Sequence, residues 1–381
     1  GTSTARAGEN YLTLTNTATT GTIATIQLIS LGNGQGCNNV TVKDCNISCG
    51  HNASGSYAIA AGGSTIASSG ADHDNLVIQD NEITKAYVGI RAQGSAVNNP
   101  GLMDNPQITG NRIGSDNSAD YIFHDGIYLM YATGGLISEN TIFNLIPGTT
   151  VNTPVGMTIS TGVVSSVVSK NIIHDIVYTG TGGYGGRGIY VNTGNAASNL
   201  RLDNNLIYNI KGDGYSGFSA SSMVGMYFDG TTGGLDIYYN SVYLSGDFAR
   251  NTATLTTAIL FYTSTLTDID LRDNIFQNSM NNTSVTTDKN YAIYSSAPNT
   301  SFANIDFNDY YTTGSEGKLG YLGGDKTDLT AWQAATGQDV NSLNVDPLFI
   351  STTDLNVPSS SPVVGEGTPI TAVDYDILDI D

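Results

Sequence analysis

The residues in this 381-residue chain whose types could do chemistry are a handful of acids and cations set beside short apolar runs. Asp125, Asp175, Asp213 and Asp229 are such acids, and two carboxylates flanking a glycosidic bond can cleave it, one as acid and the other as base or nucleophile. Arg91, Arg187 and Lys211 are the nearby cations, suited to removing a proton or neutralising a substrate charge. No two of the acids fall at equivalent positions in adjacent repeats of the chain. The candidates for catalysis therefore reduce to Arg187, Asp213 and Lys211, and the plainer reading of each is a solvated surface residue. His124 and His174 read as ordinary loop and turn residues.

Metal chemistry has less support. Cys37, Cys45 and Cys49 are followed by His51, types that ligate zinc, but the spacing lacks the paired C-x2–4-C knuckles of a zinc site. Buried thiols or one disulfide are the expectation, and no metal is assigned. The acids of "DYDILDID" (374–381) alternate like an incomplete calcium loop without its glycine turn or final glutamate. Calcium is the one cofactor the sequence brings to mind. The 34 acidic residues against 14 basic ones give a formal net charge of −20. Such a field favours cations and repels nucleic acid, anionic membranes and polyuronates, so no nucleic-acid partner is expected. No run of about 18 apolar residues is present, so no membrane span is expected.

What must position these residues is a repeat. "NLVIQDNEI" (75–83) returns as "NVTVKDCNI", "NPQITGNRI", "NLRLDNNLI", "GLDIYYNSV" and "DIDLRDNIF". Its asparagine recurs at Asn81, Asn111, Asn140, Asn171, Asn205, Asn240, Asn274 and Asn308, at gaps of 29 to 35 residues, with Cys45 in the same place earlier. Periods of this length mark stacked units. Apolar residues five and three positions before the asparagine and two after it describe a short strand, a bend and another strand. At the bend an asparagine tolerates left-handed backbone angles, and its amide can join the units on either side into a buried ladder.

A second phrase lies between the asparagines: "VGIRAQG" (88–94), "DGIYLMYATG" (125–134), "VGMTISTG" (155–162), "RGIYVNTG" (187–194) and "VGMYFDGTTG" (224–233). In this G-I-x-φ unit the isoleucine points inward and x outward. Position x reads Arg91, Tyr128, Thr158, Tyr190, Tyr227, Leu260 and Tyr294 in successive units. Tyr128, Tyr190, Tyr227 and Tyr294, with Arg91, are the candidate ligand-binding residues, since tyrosine stacks on sugar rings and suits protein interfaces. The competing reading packs these rings beneath loops. From asparagine to the next glycine or alanine the distance varies from 8 to 20 residues, so insertions belong to one side of each unit.

The unit φ-x-φ-x-x-N-x-φ joined to G-I-x-φ resembles the right-handed parallel β-helix family, the pectin-lyase-like fold, most clearly over 39–310. The resemblance implies an all-β solenoid of about ten coils. "DLTAWQAATGQD" (328–339) and the stretch after it are similar to the closing segment of β-helix modules in large secreted bacterial surface proteins. They imply a short capping helix, started by Thr327 or Asp328 and ended at Gly337, with Trp332 over the open core. The expected division is 1–326 for the solenoid and 327–381 for cap and tail. Pectate lyases of the fold hold calcium on clustered aspartates and use an arginine base. Polygalacturonase-like members carry N-T-D, D-D, G-H-G and R-I-K. Here only "GHN" (50–52), "HDG" (124–126) and "NIK" (209–211) appear, out of order.

The expected function is an extracellular structural or adhesive module, secreted or on a cell surface, presenting a side face to a glycan or surface protein. A polysaccharide lyase or glycoside hydrolase is the alternative, and a subunit of a surface fibre or spike a further one. The opening "GTSTARAGEN" reads as a processed or excised start. The lack of an N-terminal cap points to neighbouring domains of a longer precursor or to self-association.

Overall fold

The computed structural model describes residues 12–96, 101–151, 153–217, 219, 221–314 and 316–373. Each turn of the chain lays down three short strands, and strands of successive turns pair in parallel to give three long sheets and about nine turns. Sheet A has ten strands, beginning at or one residue beyond the ladder position. Sheet B has eleven and carries the G-I-x-φ phrase. Sheet C has nine and leads into the asparagine. Among the described residues the only antiparallel strand pairing within these sheets is Gly317–Leu322 with Asp325–Lys326, which finishes sheet B. Like residues stack on like: Ile78, Ile108, Ile137 and Val168 in sheet C, and Ile83, Ile113, Ile142, Ile173 and Ile207 in sheet A. All are fully buried in one continuous core.

The asparagine register is realised as a hydrogen-bonded ladder. Each amide nitrogen donates to the side-chain oxygen of the next asparagine, at 2.9–3.0 Å from Asn81 through to Asn308. The same oxygen also accepts from the backbone N–H of the preceding asparagine, as when Asn205 N–H donates to Asn240 Oδ1 at 3.1 Å. Cys45 opens the ladder through its backbone alone, and Ser342 Oγ closes it by accepting from Asn308 N–H at 2.7 Å. One expectation is corrected. The left-handed residue is not the asparagine but the one before it: Asp80, Glu139, Lys170, Asn204, Tyr239, Asp273 and Phe307 have φ between 51° and 60°, and Gly110 has 66°. The asparagine keeps ordinary angles because its side chain must reach inward along the stack.

Asp328 caps the helix Leu329–Thr336 by accepting from Ala331 N–H, and Gly337 ends it at φ 73°. Trp332 is fully buried against Tyr310, and its indole N–H donates to Asp339 at 2.6 Å. The chain then runs back along the outside. Val345 N–H donates to Asp309, Phe349 packs on Tyr243, Thr368 N–H donates to Asp273, and Ala372 C=O accepts from Arg201. The acidic stretch 374–381 lies outside the described residues.

This returning segment makes the first prediction. Burial raises the Asp309 carboxyl to about 7, with Asp346 adding repulsion, and burial raises Asp339 to about 6. In the unfolded chain both titrate at about 3.9. Between about pH 4 and 7 the folded state therefore holds more protons, and its stability falls as pH rises. Amide exchange in 345–370, corrected for intrinsic rate, should be several-fold slower at pH 5 than at pH 8. Asp309→Asn should flatten much of that dependence. Faster exchange at pH 5 would refute the assignment.

Candidate functional site

The outer face of sheet B carries the residues that the sequence singles out, and the glycine of G-I-x-φ explains how they come to face outward. That glycine turns toward the core just ahead of the isoleucine. A Cβ on Gly126, Gly156 or Gly188 would stand 2.4–2.5 Å from a methyl of Ile142, Ile173 or Ile207. With two consecutive residues directed inward, the residue before the glycine is turned out. Asp125 and Arg187 sit at that position, in register through Val155. Their backbones are thus about 10 Å apart, two coils at about 4.8 Å each.

The x row is continuous in register: Arg91, Tyr128, Thr158, Tyr190, Tyr227, Leu260, Tyr294 and then Tyr321. Its accessibility is uneven. Arg91 bonds Gln93 and lies 4.2 Å over the Tyr128 ring, and Tyr128 Oη reaches Ser160. Tyr190 is half-buried, donating to Asp229 and accepting from Asn192. Tyr227 is a correction: it is wholly buried in a small outer cluster with Val224 and Leu260, so its ring is not an exterior stacking anchor. Thr158 is buried, and its hydroxyl donates to Asp125 at 2.6 Å.

Toward the C-terminal end the row opens. Tyr294 and Tyr321 stack at 4.2 Å with planes 3° apart, and Tyr291 meets both edge-on. With Lys289, Thr254 and Leu255 they line a groove of about 290 Å³, near the small end of the roughly 300–1,000 Å³ typical of ligand sites. The sequence pattern misses Tyr321 because Gly320 replaces the inward isoleucine of the phrase. A Cβ there would stand 2.7 Å from Trp332, so the helix takes the space.

No hydrogen bond or ion pair links the side chains of the three catalytic candidates. Asp213 is held by Arg250 at 2.5 Å and accepts from Gly183 N–H, which fastens the insertion 178–186. Lys211 forms neither a hydrogen bond nor an ion pair with Asp213. A different pair is in direct contact: His124 Nδ1 lies 2.5 Å from Asp125 Oδ2, its ring 4.8 Å from Tyr87. Burial disfavours the imidazolium, yet the charge and hydrogen bond of Asp125 outweigh it and raise the His124 pKa, with Arg187 and Arg91 opposing. The same contact recurs at His174 and Asp175 on sheet A, where the ring is stacked between Phe143 and Tyr208. The "HD" dipeptide therefore creates the contact locally, whether or not a site surrounds it.

The cysteines are free and separate. Cys37 donates to Ile29 C=O, Cys45 to Lys43 C=O, and Cys49 contacts Thr25, while His51 contacts Gly21 C=O. On sheet C, Arg201, Asp236, Asp268 and Asp270 line a groove of about 460 Å³, with Tyr238 Oη between Asp236 and Asp270. Among the described residues no group of three or more His, Cys, Asp or Glu side chains is placed to hold a metal ion. Among them, too, no helix is long and apolar enough to cross a membrane.

No curated protein and no solved structure matches the chain. A family model described as a right-handed beta helix region matches residues 33–242, more than half of its length. With its parallel three-sheet solenoid and asparagine ladder, the chain belongs to the right-handed β-helix family.

Proposed function

We propose that this protein is a rigid glycan-binding module, acting outside the cell as an adhesive or structural rod and taking its ligand on the outer face of sheet B. The observation that carries the reading is the Tyr294–Tyr321 stack with Tyr291 in an open groove. Aromatic rings fixed by a sheet offer sugars apolar contact and phenolic hydrogen bonds at little cost in conformational entropy. Strand pairing fixes the spacing of successive coils near 4.8 Å and holds the two rings 4.2 Å apart, so a sugar chain lying along the axis meets a fixed pair of rings. A glycan array followed by titration tests this. Tyr321→Ala should lose about tenfold or more in affinity, roughly 1.4 kcal/mol, while the melting temperature changes little. Unchanged binding in that variant would sink the assignment.

A second reading, a carbohydrate-active enzyme, keeps one observation in its favour. His124 is held by a buried aspartate and left partly exposed on the same face, an arrangement suited to general acid–base work. Turnover of any polysaccharide that disappears in His124→Asn but survives Asp213→Asn would favour it over the binding module.

A further inference from the structure

We propose that Arg187 and Tyr227 form a buried subsite for an oxyanion, a carboxylate or sulfate borne by the ligand of sheet B's outer face. Arg187 is 7% exposed, and its Nε has no hydrogen-bond partner. It stands apart from the other described arginines. Arg112, Arg201, Arg250 and Arg272 each pair with an aspartate or glutamate, and Arg91 bonds Gln93. The two acids facing Arg187 are committed elsewhere. Asp125 accepts from Thr158 and contacts His124, and Asp229 accepts from Tyr190 and Gly230 N–H. Both carboxylate charges still act on the guanidinium, but its Nε–H is left unpaired, and a buried donor without a partner is costly to keep.

The second observation is independent. Tyr227 is fully buried, and its hydroxyl has no partner, whereas the hydroxyls of Tyr190, Tyr238, Tyr291 and Tyr310 all have one. The Arg187 guanidinium lies 4.9 Å from the centroids of both the Tyr190 and Tyr227 rings. Two orphaned groups able to donate, one of them cationic, thus occupy one aromatic cluster and want an acceptor. Carboxylate and sulfate are acceptor-only, and their planar or tetrahedral oxygens suit the guanidinium fork. The net charge of −20 works against diffuse anion binding, so saturation by a small anion would report a built site.

This deepens the proposed glycan-binding reading by giving the ligand a charge, but its test does not depend on that reading. Acetate and sulfate are titrated at constant ionic strength against wild type, Arg187→Gln and Tyr227→Phe, following tyrosine-ring NMR shifts and melting temperature. Because sulfate stabilises proteins generally, the measured quantity is the difference between wild type and variant. Saturable binding should weaken at least tenfold in both variants. Tyr227→Phe guards against misfolding, since it removes only the orphaned oxygen and keeps the ring. Absence of saturation with either anion, or equal binding in wild type and Tyr227→Phe, would overturn the subsite. Glucuronate and glucose form the last arm. Anion binding retained in a protein that binds no saccharide would support the subsite and refute the Tyr294–Tyr321 groove. Stronger binding of glucose than of glucuronate would count against the subsite.

Discussion

Trp332→Ala is expected to lower the unfolding free energy by about 3–5 kcal/mol, the usual range for deleting a fully buried large aromatic. The side chain closes the end of the core: its ring lies 5.8 Å from Tyr310, over the space that Gly320 leaves open, and its N–H is bonded to Asp339. Removing it takes away three things together: apolar contact, a buried hydrogen bond to a carboxylate, and the cover on the last coil. An uncovered coil presents unpaired strand edges to other molecules, so the variant should also self-associate at lower protein concentration. Denaturant unfolding followed by circular dichroism measures the first effect, and sedimentation the second. Leu329→Ala, on the same helix but only partly buried, should cost much less. Equal losses at the two positions would mean that the helix is a loose appendage.

The same end of the molecule shows what a linear pattern can and cannot convey. The helix, its Asp328 cap and its Gly337 stop are local signals, legible because capping chemistry lies within a few residues. Tyr321 was not legible, since its place in the tyrosine row depends on the register of Ile293 with Gly320 and on a tryptophan arriving from beyond it. Tyr227 was legible as an outward residue, and its burial as one of two competing readings between which the pattern did not decide. Alternation fixes which face a side chain takes, while the depth above that face depends on insertions whose paths the repeat does not encode. Arg187 combines both effects. The glycine that follows it is read easily as part of a motif, yet its inward turn, which sends the arginine outward, appears only from the methyl groups it would strike.

The left-handed bend was misplaced by one residue for a related reason. In "QDN" or "DNN" both aspartate and asparagine tolerate positive φ, and local propensity does not decide between neighbours. The decision comes from the ladder, which needs the side chain of the second residue directed along the stack. Glu139, Lys170, Tyr239 and Phe307 adopt the left-handed angle at the first position, although none is suited to it. The ladder therefore outweighs backbone preference at the bend. Those strained positions are tolerated because the next residue is secured on two coils.

That inference sets the size of the second large effect. Asn205→Leu is expected to cost about 2–4 kcal/mol, while Asn195→Leu should cost less than about 1 kcal/mol. Asn205 Oδ1 accepts from both the backbone and the side chain of Asn171, and its own amide donates to Val168 C=O and Asn240 Oδ1. Leucine fills the volume but strands the buried Asn171 N–H, which has no water to turn to, and leaves the Asn171 amide short of one acceptor. Each buried group left without a partner costs about 1–3 kcal/mol. Asn195 accepts from Ala197 N–H in an exposed turn, where water replaces the lost bond. The effect should also be local in kind: hydrogen exchange at Asn171 and Asn205 should accelerate more than at Asn81, several coils away. Uniform acceleration along the solenoid, or equal losses for the two substitutions, would show that the asparagines fill space and do not bind the coils together.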